Sequence, residues 1–226
     1  MILDGSTMEM GAVAQLRRIK PAIEVARAVM EHSSHSILAG DGALAFAKMM
    51  GFEETPLDTA RSREIHQNWL NNKCQPNYFR NVVGRTLLSA NHDTIGMVVL
   101  AENGHMAAGT SSNGATHKIA GRVGDASVPG AGAYVDSSIG GAAATGDGDV
   151  MMRFLPSFFA VQEMKKGAHP RKACERALHR IAAVYPHFLG GMVCLNQLGE
   201  FGGAGYGWDF LILCKQVGCR SLRWCM

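Results

Sequence analysis

Three residues near the middle of the chain, His92, Asp93 and Thr94 in "ANHDTIGMVVLAENGHMAAG", put an imidazole, a carboxylate and a hydroxyl at the head of an apolar run. A threonine hydroxyl is a weak nucleophile and needs a neighbouring base. One solution makes the threonine a chain terminus, so that its own α-amino group, with an ordinary pKa of about 7.7 to 8.0, takes the hydroxyl proton. An internal threonine reaches that state only when its preceding peptide bond is cut. Asp93 is suited to assist: its carboxylate helps the Thr94 hydroxyl attack the Asp93 carbonyl, converting the amide to an ester that water opens. Spacing alone leaves the plainer reading open, with Asp93 as a residue that starts a strand. His92 lies on the side such a cut removes. It either positions the bond before cleavage or is a solvated loop histidine.

The elements around Thr94 must hold it rigidly. "IGMVVLA" and "HMAAGTS" flank Glu102, Asn103 and Gly104, and Asn-Gly between apolar runs predicts a hairpin whose first, buried strand starts at Thr94. Upstream, Pro21 fits the first turn of a helix in "PAIEVARAVMEHS", with Ile23, Ala26, Val29 and Met30 at helical spacing. "HSILAG" reads as a short buried strand, "GALAFAKMMG" as a helix ending at Gly51, and "TARSREIHQNWLNN" as a third helix with Ile65 and Trp69 one turn apart. Residues 72–91 carry no sustained period and read as a linker or surface loop. Downstream, the glycine-rich stretch 121–149 suits close backbone approach to another backbone or a ligand. It runs into one helix, "DVMMRFLPSFFAVQEMKKG", ending at Gly167. Pro170 then opens "PRKACERALHRIAAVYP", and "GGMVCLNQLGEFGG" alternates like a strand. Periodicity alone supports α+β or α/β, with sheet layers covered by helices.

Length and composition favour a single domain over 1–226, with 47% hydrophobic residues, enough for one substantial core. A net charge of +3 without a Lys/Arg block argues against a nucleic-acid partner, and no apolar run approaches the roughly 20 residues of a membrane span. The start "MILDGSTMEMGAVAQL" has no secretory leader pattern, so the chain as written is expected in the cytosol. Cys74, Cys174, Cys194, Cys214, Cys219 and Cys225 form no CxxC pair and no spacing for tetrahedral zinc, so no metal is expected. No cofactor is expected either. His105, His117 and His179 belong to no visible constellation and read as structural or surface residues.

The motifs "HDTIGM", "GHMAAGTSSNG", "GRVGDASVPGAGAY" and "AAATGDGDVMMRFLPS", with "CQPNYFRNV" upstream, follow one another in a specific order and spacing. In these the chain resembles the glycosylasparaginase (aspartylglucosaminidase) family of N-terminal-nucleophile hydrolases, from about Met1 to about Gly203. The resemblance implies an α+β, four-layer αββα sandwich, here incomplete. It implies autoproteolysis between Asp93 and Thr94 into an α-chain-like portion, 1–93, and a β-chain-like portion, 94–226. Thr94 then attacks the side-chain amide of a glycosylated asparagine, releasing aspartate and a sugar amine. Arg122 and Asp125 match the residues that grip the substrate's α-carboxylate and α-ammonium; without the resemblance they read as a surface salt bridge. Thr145 and Gly146 match an oxyanion hole; unaided, they read as the glycine-rich start of a helix. Ser112 stands where the family has a threonine hydroxyl close to the nucleophile. Cys174 and Cys194 match a family disulfide, which oxidises only in a secretory compartment. The family is lysosomal and assembles as a dimer of cleaved heterodimers.

Departures from the pattern define the alternatives. The family's leader and its first strand, which forms a pocket wall, have no counterpart before "ILDGSTMEMGAV", and the linker before Thr94 is shortened, leaving Cys74 without its partner. A tail over 204–226 diverges, although "WDFLILC" could supply a replacement strand. No Asn-x-Ser/Thr sequon occurs. One alternative is an inactive truncated variant of the family. A weaker one is a β-aspartyl peptidase or asparaginase, which "HDTIG" disfavours.

Overall fold

A computed structural model describes residues 1–72 and 94–215, and the backbone of 223–225. The Asn103–Gly104 turn organises the centre of the fold. Gly104 adopts φ 82°, a left-handed conformation that glycine takes without a steric cost, and its N–H donates to the Ala101 carbonyl. This turn joins β4 (Thr94–Leu100) to β5 (Met106–Ser112) in antiparallel register, from Leu100 opposite Met106 to Thr94 opposite Ser112. The expected hairpin is present, and its first strand begins at Thr94.

β5 is flanked on its other side by β1 (Ile2–Asp4), followed by β2 (Met10–Ala14) and β3 (Ile37–Ala39), giving a five-stranded sheet in the order β3-β2-β1-β5-β4. A second, four-stranded sheet runs β6 (Ala133–Asp136), β7 (Gly140–Gly146), β8 (Gly190–Asn196) and β9 (Phe201–Tyr206), all antiparallel. The sheets pack face to face over Leu3, Met106, Ala108, Val135 and Ala143, with Val98 and Leu100 of β4 against this core. Helix α1 (Ala22–His32) covers the outer face of the first sheet, burying Val25, Ala26, Ala28 and Val29. Helices α5 (Pro156–Lys165) and α6 (Pro170–Ala182) cover the second, with Val161, Leu178 and Ile181 packed on Ala142 and Met192. The result is helix, sheet, sheet, helix: a mixed α+β sandwich, as expected. Cys174 of α6 and Cys194 of β8 form a disulfide in this outer core.

Several local expectations change. β3 is not buried; Ile37 is 45% exposed, because β3 is the far edge of its sheet and pairs with β2 alone. β4 is likewise an edge strand among the described residues, and its outward side chains Ile95, Met97 and Val99 are exposed. The single helix expected from Asp149 to Gly167 is two, α4 (Gly148–Met151) and α5, because Leu155 turns left-handed (φ 49°) ahead of Pro156. "GGMVCLNQLGEFGG" is a hairpin of two strands, β8 and β9, rather than one. Helix α2 (Gly40–Met49) and α3 (Ala60–Asn71) fall where expected, α3 opening with a Thr59–Ser62 capping box. β10 (Ile212–Cys214), inside "WDFLILC", pairs with β11 (Arg223–Cys225), separate from both main sheets. Cys74, His92, Asp93, Cys219 and the expected linker over 73–91 lie outside the described residues.

Candidate functional site

Two antiparallel strands facing each other across the sandwich bring the candidate residues together. A Cβ on Gly96 would stand 2.9 Å from the Ala143 Cβ, and one on Gly141 would stand 2.7 Å from a Val98 methyl. β4 therefore runs over β7 in matched two-residue steps, Val98 over Gly141 and Gly96 over Ala143. Thr94 and Thr145 stand one two-residue step further along the same two strands. The missing side chains at Gly96 and Gly141 are what let the two backbones come this close.

Thr94 is half-buried, and its Oγ1 donates to the Ser112 Oγ at 3.1 Å. The Ser112 Oγ also accepts the Gly114 N–H at 2.8 Å, so the serine sits with a fixed orientation at the end of β5. Gly146 follows Thr145 at φ 144°, and a side chain there would run into the Leu189 carbonyl and the Gly190 Cα. Glycine at 146 thus keeps β7 tight against the start of β8.

Arg122 and Asp125 are near one another, but they do not form the salt bridge that their spacing allows. The Arg122 Nε lies 3.3 and 3.2 Å from the two Asp149 oxygens, and its Nη2 donates to Asp149 Oδ2 at 2.9 Å. Asp149, in the first turn of α4, is a site residue that sequence reasoning missed; the signal available was the second acidic position in "TGDGD". Asp125 opens a 3-10 turn, Asp125–Ser127, and is 5% exposed. Its Oδ1 lies against Gly148, where any side chain would displace it, and its Oδ2 is buried without a hydrogen-bond partner. Burial pushes the Asp125 carboxyl up to about 6, against the opposing pull of Arg122.

Arg122 and Ser112 line an open cleft of about 470 Å³, whose walls also include Gly114, Gly124 and Ser127. Asp125 lies beneath the Gly124–Ala126 rim. Arg122 lines the cleft and Asp125 does not; a cation and an unpartnered carboxylate this near one another match the charge pattern of a free amino acid. A threonine hydroxyl bonded to a serine, and a second threonine hydroxyl followed by a glycine N–H, are groups of the kinds acyl transfer uses. His105 and His117 also have partners. His105 Nε2 contacts Asp4 Oδ1 at 2.9 Å, and the His117 ring stacks on Trp69 at 4.6 Å, with His66 5.6 Å from the indole and 6.3 Å from His117. Among the described residues no group of three or more metal-ligating side chains converges, and no helix is long and apolar enough to cross a membrane.

The family model described as asparaginase matches residues 1–207. The chain is 49% identical to a rat protein named N(4)-(beta-N-acetylglucosaminyl)-L-asparaginase and 48% to its mouse counterpart, each over 90% of this chain and 66% of the relative. It is 46% identical to a Drosophila melanogaster protein with the same name marked as putative, over 92% of this chain and 60% of the relative. The chain thus spans somewhat under two thirds of the length of the curated relatives it matches.

Proposed function

Given that the chain belongs to the asparaginase family, we propose that it is a self-processing threonine amidohydrolase acting on N4-(β-N-acetylglucosaminyl)-L-asparagine, as the names of its relatives describe for them. The observation that carries the proposal is Thr94 at the head of β4, hydrogen-bonded to Ser112. Cleavage at Asp93–Thr94 frees the Thr94 amine. That amine takes the hydroxyl proton, and the oxygen attacks the asparagine side-chain carbonyl. The Thr145 hydroxyl and Gly146 N–H hold the oxyanion, while Arg122 and Asp125 hold the α-carboxylate and α-ammonium. The proton passes to the leaving glycosylamine, and water then hydrolyses the aspartyl ester, restoring Thr94 and releasing aspartate.

The topology supports cleavage without separation. β1, β2 and β3 come from 1–93, yet they share one sheet with β4 and β5 from 94–226, so the two portions stay joined by hydrogen bonds along β1 and β5. Assembly of two such pairs, action in the lysosome and a divergent tail over 204–226 belong to the same proposal.

A second reading, a family member that does not process itself, is favoured by one feature. The outward side chains of β4, Ile95, Met97 and Val99, are 72%, 59% and 46% exposed, an uncovered apolar stripe on the strand that begins at Thr94. A denaturing gel with N-terminal sequencing decides between the two. A fragment starting at Thr94, absent in Thr94→Ala and accompanied by hydrolysis of glycosylated asparagine, supports the hydrolase. A single uncleaved chain without amidase activity sinks it. Preference for β-aspartyl dipeptides over glycosylated asparagine would move the substrate assignment instead.

A further inference from the structure

We infer that Asp149 is a positioning residue that holds the Arg122 guanidinium away from Asp125, so that the two charges remain available to opposite ends of one amino-acid ligand. The inference rests on the amidohydrolase reading above and adds to it a residue outside the nucleophile, the oxyanion groups and the two charged grips. A guanidinium offers five N–H groups on a rigid plane. Asp149 engages the edge made by Nε and Nη2. Nη1 is left on the other side, against Gly114 and Gly124, where an added Cβ would come within 2.9 and 2.7 Å of it. Both glycines line the cleft. Arg122 is held at its backbone as well, since its carbonyl accepts a hydrogen bond from Gln15 Nε2 at 2.6 Å.

The consequence follows from what surrounds the guanidinium. Arg122 has a side chain 14% exposed and lies close to Asp125, whose buried Oδ2 has no partner. With Asp149 absent, the nearest compensation for a desolvated cation is that orphaned carboxylate. The two grips would then neutralise each other and neither would serve a ligand. Asp149 has a side chain 38% exposed and keeps solvent on its outer side, so it engages the arginine at a lower desolvation cost than Asp125 would.

The test uses the full chain after self-processing and compares wild type with Asp149→Asn and Asp149→Ala. Release of the Thr94-starting fragment reports that each variant folds. Two chromogenic substrates are compared, asparagine β-anilide with a free α-carboxylate and the same compound as its α-carboxamide. For the free acid we expect Asp149→Ala to raise KM about 10- to 100-fold with kcat changed by less than about 3-fold, the scale of a lost charged hydrogen bond. The carboxamide keeps only the ammonium contact to Asp125, so its KM should rise by clearly less than that of the free acid, discrimination between the substrates should shrink, and Asp149→Asn should fall between. Equal losses on both substrates, or a fall in kcat at constant KM, overturn the inference. Calorimetric binding of L-aspartate supplies an arm without turnover: weaker binding in Asp149→Ala at an unchanged thermal midpoint supports the role, and equal affinity overturns it. Wild-type protein that binds L-aspartate but neither cleaves itself nor hydrolyses amides removes the hydrolase reading alone. Wild-type protein that fails to bind L-aspartate removes both.

Discussion

Thr94 and Ser112 are direct partners across the β4–β5 ladder, and the hydroxyl of the first donates to the hydroxyl of the second at 3.1 Å. The hairpin turn, six residues from each partner along its strand, fixes that meeting through register alone, because a slip of one residue would send one of the two side chains to the opposite face. If the bond orients the nucleophile, Ser112→Ala should lower kcat/KM about 3- to 10-fold, the usual worth of one neutral hydrogen bond, and Ser112→Thr should recover most of it. Steady-state kinetics on the three proteins checks this. An alanine variant with wild-type kinetics would leave Ser112 a structural role only.

Asp125 carries a stability cost that the proposed grip on an α-ammonium would explain. Its carboxyl is raised from an ordinary 3.8 to about 6 by burial. Below about 3.8 both folded and unfolded chains are protonated there, and the group is neutral with respect to stability. As pH rises toward 6 the unfolded chain loses the proton first, so folding is progressively opposed, and above about 6 the full penalty applies, on the order of 3 kcal/mol. Asp125→Asn should therefore be more stable than wild type at pH 7 and gain nothing at pH 3.5, while losing affinity for L-aspartate. Thermal unfolding at the two pH values, with calorimetry at the higher, reads both effects. A variant less stable than wild type at pH 7 would contradict the account.

How far the sequence carried the argument differs from element to element. The hairpin was legible because Asn103–Gly104 is a turn signal with a mechanism, and it placed Thr94 at a strand start without any knowledge of the tertiary fold. β6 was too short to show a period, at four residues of "AYVD", and β7 was not legible because the residues of "GGAAATG", Thr145 apart, are neither branched nor aromatic. Their small side chains answer instead to the sheet above, where Gly96 and Ala143 nearly touch. The Arg122–Asp125 pairing was the natural reading of a three-residue spacing, yet Asp149, 27 residues further on, takes the arginine. Only the turn from β7 into α4 brings it there. Local rules saw the residue types and missed the partner, because the partner is set by packing between layers.

Gly148 illustrates the same dependence in a single position. A side chain there would meet Asp125 Oδ1, with Arg122 Nη2 at 3.2 Å behind it. Gly148→Ala is expected to displace the Asp125 carboxylate and weaken L-aspartate binding at least about 10-fold, with a stability change of about 1–3 kcal/mol typical of overpacking. Unaltered binding in a folded Gly148→Ala protein would show that Asp125 does not need its present position.

The disulfide between Cys174 and Cys194 closes a segment with a sequence separation of 20 and ties α6 to β8 beneath the oxyanion-side sheet. Chain entropy alone assigns such a loop about 3 kcal/mol. Replacing both cysteines with alanine should lower the thermal midpoint by about 6 to 12 °C for a domain of this size. Reductant should lower the wild-type midpoint similarly and leave the double variant unchanged. A double variant as stable as wild type would mean the bridge adds nothing to the buried packing already present at both positions.

Helix α3 is the element most exposed to acid. It has no buried residue, and its Trp69 stacks at 4.6 Å on His117, outside the helix, with His66 of the same helix 5.6 Å from the indole. Burial, and then the charge of His66, hold the His117 imidazole below its ordinary 6.5. The neutral ring is therefore the form the docked helix prefers. When α3 detaches, His117 regains its ordinary proton affinity, so docking strength present above about 6.5 is lost as the pH falls through that value. Amide exchange over residues 60–71, corrected for intrinsic rates, should be faster at pH 5 than at pH 7.5. His117→Phe, which keeps a stacking ring but cannot be protonated, should remove most of that difference. Equal protection at both pH values in the wild-type chain, or an undiminished difference in the phenylalanine variant, would place the anchor of α3 elsewhere.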